Sequence, residues 1–137
     1  CNDTFTKNAS TLVRQVHIVY NNVYEVPVLW FNFYKQGNYR FWLVIDEVLE
    51  LITTDYRSSI KSTLLTSLSQ GEHPNIGVAF YHIHPCKTQD VMRNLHYTNY
   101  ILSWISVYGQ LVGLTLPSEI YEKANAMPPN NFKLNCG

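Results

Sequence analysis

The first third of the chain alternates its side chains with the two-residue period of extended strands. Residues 12–20 and 23–34 carry this pattern and are rich in β-branched and aromatic side chains. Asn21 and Asn22 lie between them and supply turn chemistry, so we predict an antiparallel hairpin. Pro27 cannot donate to a strand ladder, which indicates that the second strand has an edge position or a bulge.

The middle of the chain changes period. Residues 41–52 carry apolar side chains at helical spacing, although their start would equally continue the meander as a short strand. Residues 53–73 are rich in Ser and Thr and have few apolar positions, which predicts a loop with a helical turn near 63–68. A further strand is expected to begin near Ile76 and to run to Pro85, where the missing amide donor stops pairing.

The last third is helical in pattern. Thr88 has the character of an N-cap for a short helix over 89–95, and Asn99 that of an N-cap for a longer one. After Asn99 the apolar side chains recur every three or four residues, which predicts an amphipathic helix covering one sheet face. Pro117 opens the last segment, a short helix and tail over 118–137.

Strands followed by helices are typical of an α+β fold. We therefore predict an antiparallel sheet, a hairpin extended into a meander, with helices packed on one face, in a single domain over residues 1–137. Residues 1–10 are polar and without pattern, and they are expected to form a terminal segment.

Charge and cysteine content narrow the class of protein. Ten basic residues balance ten acidic ones, so there is no field that argues for nucleic acid or an anionic membrane, and no apolar run reaches membrane-spanning length. Three scattered cysteines, Cys1, Cys86 and Cys136, do not form a disulfide framework and indicate a reducing, cytoplasmic location. No nucleotide-binding or metalloprotease motif is present, and we expect a monomer without a cofactor.

Cys86 is the main candidate for chemistry. It follows His84-Pro85 at the end of a predicted strand and precedes a predicted helix start, beside Lys87. Positive partial charge at such a position favours thiolate over thiol, which is typical of a reactive cysteine. The alternative from residue type alone is a small, buried, structural cysteine.

Two other chemistries are compatible with the residue types. A zinc site would use His82, His84 and Cys86, with His73 or His96 as a fourth ligand, but Pro85 breaks the alternation that would align them. A cysteine protease would pair Cys86 with His96 or His17 and an orienting Asn or Asp. Tyr24 and Trp104 would line a site or belong to the core.

Several motifs together resemble a known family. They are Tyr24-Glu25-Val26-Pro27-Val28-Leu29, Glu72-His73-Pro74, His84-Pro85-Cys86-Lys87-Thr88, Asn99-Tyr100-Ile101-Leu102-Ser103-Trp104 and Val112-Gly113-Leu114. In this order, over about residues 20–117, they resemble the autophagy-related protein ten family, which has a ubiquitin-conjugating-enzyme-like fold. The resemblance implies that Cys86 takes the modifier autophagy-related protein twelve from the activating enzyme, autophagy-related protein seven, as a thioester. It would then transfer the modifier to a lysine of autophagy-related protein five.

The resemblance also implies roles for two neighbours of the thiol. Ordinary ubiquitin-conjugating enzymes carry an asparagine a few residues before the cysteine, whereas here His84-Pro85 adjoins Cys86 directly. We expect His84 and Tyr24 to orient the incoming lysine or to support the oxyanion instead. The N-terminal helix of the family is expected upstream of residue 1 or is missing from this member. A non-catalytic module of the same fold, binding modifier or acceptor, is the alternative.

Overall fold

The structure, a computed structural model, describes residues 2–7, 10–36, 41–42, 45–51, 58–96 and 98–126. Its strands are β1 (Asn2–Lys7), β2 (Ser10–Asn21), β3 (Val26–Lys35), β4 (Phe41–Trp42), β5 (Leu68–Glu72) and β6 (Ala79–Ile83). Its helices are α1 (Ile45–Leu51), α2 (Ser58–Thr66), α3 (Thr88–Arg93), α4 (Tyr100–Tyr108) and α5 (Ser118–Ala126). The α+β prediction is confirmed, and no helix within these ranges is long and apolar enough to cross a membrane.

One antiparallel sheet organises the described residues. Its order is β1-β2-β3-β6-β5, and β4 pairs with the end of β3. The predicted hairpin is present as β2 and β3, with Val16 opposite Phe31 and His17 opposite Trp30. Because β6 pairs with β3 at Phe31, this long hairpin is joined directly to the strand that leads into Cys86.

One face of the sheet carries the core. Phe31 and Phe33 of β3 and Ile83 of β6 point to this face and are almost fully buried. Trp104 of α4 is completely buried and stacks on Tyr108, with ring centroids 4.9 Å apart. The helix predicted after Asn99 therefore packs on the sheet as expected. It also contacts α3, because Tyr108 of α4 donates a hydrogen bond to Thr88.

The cap of α4 explains where that helix begins. The Asn99 side chain accepts a hydrogen bond from the Leu102 amide at 3.1 Å, as an N-cap residue does. A 3₁₀ segment, Gly109–Val112, continues the helix, and Gly113 ends it in the left-handed region at φ 70°.

Two expectations about strands are wrong. Residues 1–10 are not a patternless end, because β1 pairs with β2 from Asn2 to Lys7. Residues 53–73 are not mainly loop, because they contain α2 and the edge strand β5. β5 has the sequence Leu-Ser-Gln-Gly-Glu, whose members have little strand propensity, so its pairing with β6 rather than its own composition makes it a strand.

One boundary also differs from prediction. The last strand begins at Ala79 and not near Ile76, because a turn with Gly77 at φ 66° precedes it.

The strand that contains Pro27 lies between β2 and β6, but β6 pairs with it only at Trp30 and Phe31. At Pro27 its partner among the described residues is Tyr20 of β2 alone, so the strand has an edge position there, as Pro27 indicates. Residues 127–137, the predicted tail, lie outside the described residues.

Candidate active site

Cys86 lies at the outlet of a central strand. β6 ends at Ile83, and Pro85–Lys87 form one 3₁₀ turn before α3. Pro85 is buried whereas Cys86 is exposed as a free thiol. The alternative of a buried structural cysteine is therefore wrong, because Cys86 is exposed.

The residue two positions before Cys86 fixes this turn. The Cys86 amide donates a hydrogen bond to His84 Nδ1 at 3.2 Å, so His84 caps the 3₁₀ turn. An accepting Nδ1 carries no proton, which assigns the proton of the neutral ring to Nε2. His84 thus presents one N–H donor beside the thiol segment.

Tyr24 comes to the same place from the β2–β3 turn. Its ring meets the His84 ring edge to face, with centroids 5.5 Å apart. The Tyr24 carbonyl accepts a hydrogen bond from Gln89 Nε2 at 3.3 Å, one helical turn after Cys86. The structure therefore brings together all three residues singled out from the sequence, Cys86, His84 and Tyr24.

Thr88 has a different role from the predicted one. It is the first residue of α3 and not its N-cap, which is Lys87 without a side-chain hydrogen bond. Its side chain is buried and accepts a hydrogen bond from Tyr108 Oη at 3.1 Å. Burial, aided by smaller effects of Tyr100 and Cys86 and opposed by this bond, raises the pKa of Tyr108 to about 12. Tyr108 therefore stays protonated and anchors the segment behind the thiol to α4.

A cleft opens beside this segment. It has a volume of about 310 Å³ and is lined by Glu25, Val26, Gln89, Met92, Arg93 and Tyr100. Its walls are the end of the β2–β3 turn, α3 and the first residue of α4. Gln89 lines the cleft and also binds Tyr24, so the cleft adjoins the His84 and Cys86 group.

Aromatic and histidine rings fill the sheet face opposite the core. Trp30 stacks on His82 at 4.3 Å between centroids and lies 5.3 Å from the ring of His73. His73 is almost fully buried, and its Nε2 is 3.0 Å from His17 Nδ1. Burial lowers the pKa of His73, and burial with the neighbouring His73 lowers that of His17. Burial and then the nearby His84 lower the pKa of His82.

These contacts bear on the two alternative chemistries. Within the described ranges, no three side chains among His, Cys, Asp and Glu are placed to hold a metal ion. His17 bonds to His73, and among the described residues neither His17 nor the exposed His96 is hydrogen-bonded to Cys86. The contacts expected for a zinc site or a cysteine-protease dyad are thus not made.

Sequence reasoning missed Gln89 and Tyr108. Gln89 was considered only as part of a helix start, and the spacing Cys86 to Gln89 does place the two side chains one turn apart. Its contact with Tyr24 joins segments distant in the chain, and no local pattern predicts it. Tyr108 falls at the same three- and four-residue spacing as the apolar core residues of α4. The sequence therefore does not predict that its hydroxyl contacts Thr88.

Comparisons with known proteins show the family to which the chain belongs. A family model described as autophagocytosis associated protein, active-site domain, matches residues 2–119. The ubiquitin-like-conjugating enzyme ATG10 of Homo sapiens is 32% identical over 141 residues, covering 96% of this chain and 62% of that protein. The protein of the same name from Arabidopsis thaliana is 35% identical over 119 residues, covering 76% of this chain and 50% of that protein.

The fold is also similar to a solved one. The solution structures of KmAtg10 superpose with a TM-score of 0.53 at 19% identity, covering 78% of this chain and 69% of that chain. This likeness concerns the fold. The chain spans 62% and 50% of the length of the two curated relatives it matches.

Proposed function

Because this chain belongs to the family of autophagocytosis-associated proteins and matches its active-site domain, we propose that it is a ubiquitin-like-protein conjugating enzyme of autophagy. Cys86 would carry the modifier as a thioester and pass it to a lysine of an acceptor protein. The observation that carries this proposal is the exposed thiol of Cys86 on a turn capped by His84.

The loading step is a thiol–thioester exchange, in which one thioester is replaced by another. The Cys86 sulfur attacks the carbonyl carbon that joins the C-terminal glycine of the modifier to a cysteine of the activating enzyme. A new carbon–sulfur bond forms, the old one breaks, and the departing thiolate takes up the proton that Cys86 loses. An exposed sulfur suits this step because both proteins must approach it.

The transfer step forms an isopeptide bond. The neutral amine of the acceptor lysine attacks the same carbonyl carbon, the tetrahedral intermediate expels the Cys86 thiolate, and the amine proton leaves to solvent. The Nε2 proton of His84 and the hydroxyl of Tyr24 are the two donors that would stabilise the oxyanion or orient the amine. They would take the place of the upstream asparagine of ordinary ubiquitin-conjugating enzymes.

The resemblance of the motifs supports specific partners. Autophagy-related protein twelve would be the modifier, autophagy-related protein seven the activating enzyme and autophagy-related protein five the acceptor. The balanced charge argues against nucleic acid as a partner, and the cysteine content supports a cytoplasmic location.

The first experiment tests for the covalent carrier. The protein is mixed with the activating enzyme, ATP and the modifier, and adducts are separated on a gel without reductant. Wild type and the control Cys136→Ser should form an adduct that thiols cleave. Cys86→Ser should form none, or an oxygen ester that thiols do not cleave. Absence of any adduct in wild type, with modifier binding preserved, would instead favour the non-catalytic binding module.

A second experiment tests the two neighbours of the thiol. Protein already charged with modifier is mixed with the acceptor, and a single round of transfer is timed for wild type, His84→Ala and Tyr24→Phe. Each substitution is expected to lower the transfer rate by about tenfold or more, because removing one oxyanion donor typically lowers the rate of acyl transfer by more than tenfold. Unchanged rates in both variants would remove these residues from the mechanism.

A third experiment concerns how the acceptor docks. β1 pairs with β2 only as far as Gln15, and among the described residues no strand pairs with the outer side of β2 at 17–21. We propose that a strand of the acceptor adds here, next to the exposed side chains of Ile18 and Tyr20. Tyr20→Glu should weaken acceptor binding and leave thioester formation intact. Equal loss of both would show damage to the fold.

A further inference from the structure

The cleft between the β2–β3 turn, α3 and the start of α4 is lined by an unpaired carboxylate. Glu25 lines this cleft, and its side chain makes no hydrogen bond or ion pair within the part of the chain that the structure describes. A cation in the same lining, Arg93, forms an exposed ion pair with Asp90 at 3.6 Å. Glu25 is therefore a carboxylate of the cleft that has no cation paired with it among the described residues.

The backbone at Glu25 is in an uncommon conformation. Its φ is 54°, the only positive φ at a non-glycine residue among those described. A side chain at positive φ is disfavoured, and such residues cluster where a functional site requires them. Here the conformation directs the chain from the turn into β3 and leaves Glu25 on the wall of the cleft.

Contacts join the cleft to the thiol. Gln89 lines the cleft one helical turn after Cys86, and its amide binds the carbonyl of Tyr24. The Tyr24 ring contacts His84, which caps the Cys86 turn. The cleft is thus linked, through Gln89 and Tyr24, to the turn that carries the sulfur.

The lining suits one kind of ligand. The half-buried ring of Tyr100 and the exposed stem of Gln89 line the cleft, and Glu25 offers the charge, so the cleft complements a flexible apolar stem that ends in a cation. We propose that this cleft receives the side chain of the acceptor lysine and that Glu25 binds its ammonium group. The ammonium then loses a proton to solvent, and the neutral amine attacks the thioester carbonyl carbon. Glu25 is then a specificity-determining residue of the transfer step. This inference rests on the proposed conjugating function.

The test compares a charged nucleophile with an uncharged one. The Cys86 thioester is discharged either by free L-lysine, an ammonium at pH 7, or by hydroxylamine, which is mostly neutral there. Glu25→Gln keeps the shape and removes the charge, and Glu119→Gln, an exposed carboxylate on α5 outside the cleft, is the control. Glu25→Gln should raise the KM for lysine about twofold to fivefold, as expected for one exposed ion pair. Its discharge by hydroxylamine should equal that of wild type.

Two results would overturn the assignment. Equal slowing with both nucleophiles would mean that Glu25 supports the thiol segment and does not select the amine. Unchanged discharge with both nucleophiles would mean that the Glu25 carboxylate has no role in transfer. High salt should remove the difference between Glu25→Gln and wild type, because an exposed pair is screened.

A binding measurement keeps this inference separate from the proposed function. The protein without bound modifier is titrated with Nα-acetyl-lysine methylamide. The backbone amide signal of Val26 and the side-chain amide signal of Gln89 are followed by NMR. These signals should shift in wild type and in Glu119→Gln, and not in Glu25→Gln. Equal shifts in all three proteins would refute lysine recognition by Glu25 whether or not a thioester forms. Absence of a thioester alone would count against the conjugating function.

Discussion

The contact between half-buried His17 and buried His73 gives the sharpest prediction about stability. His73 accepts the Asn75 amide on Nδ1 at 3.2 Å and has Nε2 3.0 Å from His17 Nδ1. These contacts assign the proton of His73 to Nε2, which donates to His17. A second proton on His73 would meet the Asn75 amide, and one on Nδ1 of His17 would meet the His73 proton, so both rings must be neutral.

The sign of the pH dependence follows from this neutrality. Burial lowers the pKa of both rings from 6.5 in the folded protein, so the unfolded chain binds more protons below that pH. The stabilisation is complete above pH 6.5 and is lost as the pH falls toward the folded pKa values. From pH 7 to 5.5 each ring would cost at most about 1.2 kcal/mol, and the pair about 2.5 kcal/mol.

The assay is urea unfolding between pH 5.5 and 7.5. The free energy of unfolding of wild type should fall on acidification more steeply than that of His73→Gln, which lacks one titrating ring and leaves the other without its partner. The control is His96→Gln, because His96 is exposed and outside the pair. Carboxylates elsewhere contribute equally to all three proteins, so the difference in slope reports the pair. Parallel curves for wild type and His73→Gln would refute the reasoning.

Three further substitutions test how the site is supported, all by urea unfolding at pH 7. Asn99→Ala removes the cap of α4 and should cost about 0.5–2 kcal/mol, while Asn99→Asp should cost less; equal losses would deny the cap. Gly113→Ala should cost about 1–2 kcal/mol because φ is 70° and the new Cβ would lie 2.9 Å from Arg14 Nη1; a neutral result would contradict that geometry. Tyr108→Phe leaves the buried Thr88 hydroxyl without its donor and should cost about 1–3 kcal/mol, and no loss would mean that the bond is unimportant.

Local sequence signals account for part of the fold. The β2–β3 hairpin and α4 were predictable because strand alternation and helical spacing are strong there, and because Asn99 is a good N-cap. β1 and β5 were not predictable in this way. Their residues become strands through pairing with β2 and β6, and pairing partners cannot be read from a short polar segment.

In the candidate site too, local sequence features were predictable and contacts between distant segments were not. The position of Cys86 after His84-Pro85, a local feature, indicates a reactive thiol but leaves a buried one as the alternative, and the structure shows that Cys86 is exposed. That Tyr24 would lie near Cys86 is implied only by the family resemblance, and its contact with His84 depends on the pairing of β3 with β6. The cleft and the anchoring of Thr88 by Tyr108 depend on how α3 and α4 pack, which no pattern along the chain specifies.

The place of β6 in the sheet has a consequence for folding. β3 and β6 are neighbours in space, but β4, α1, α2 and β5 lie between them in the chain. Closing so long a loop is entropically costly, so the β2–β3 hairpin should form first and β6 should dock late. Tyr24 is then already in place on the β2–β3 hairpin when β6 docks and positions His84 and Cys86. A chain still being synthesised would expose the thiol without Tyr24 beside it, so productive transfer to the acceptor would require the folded domain.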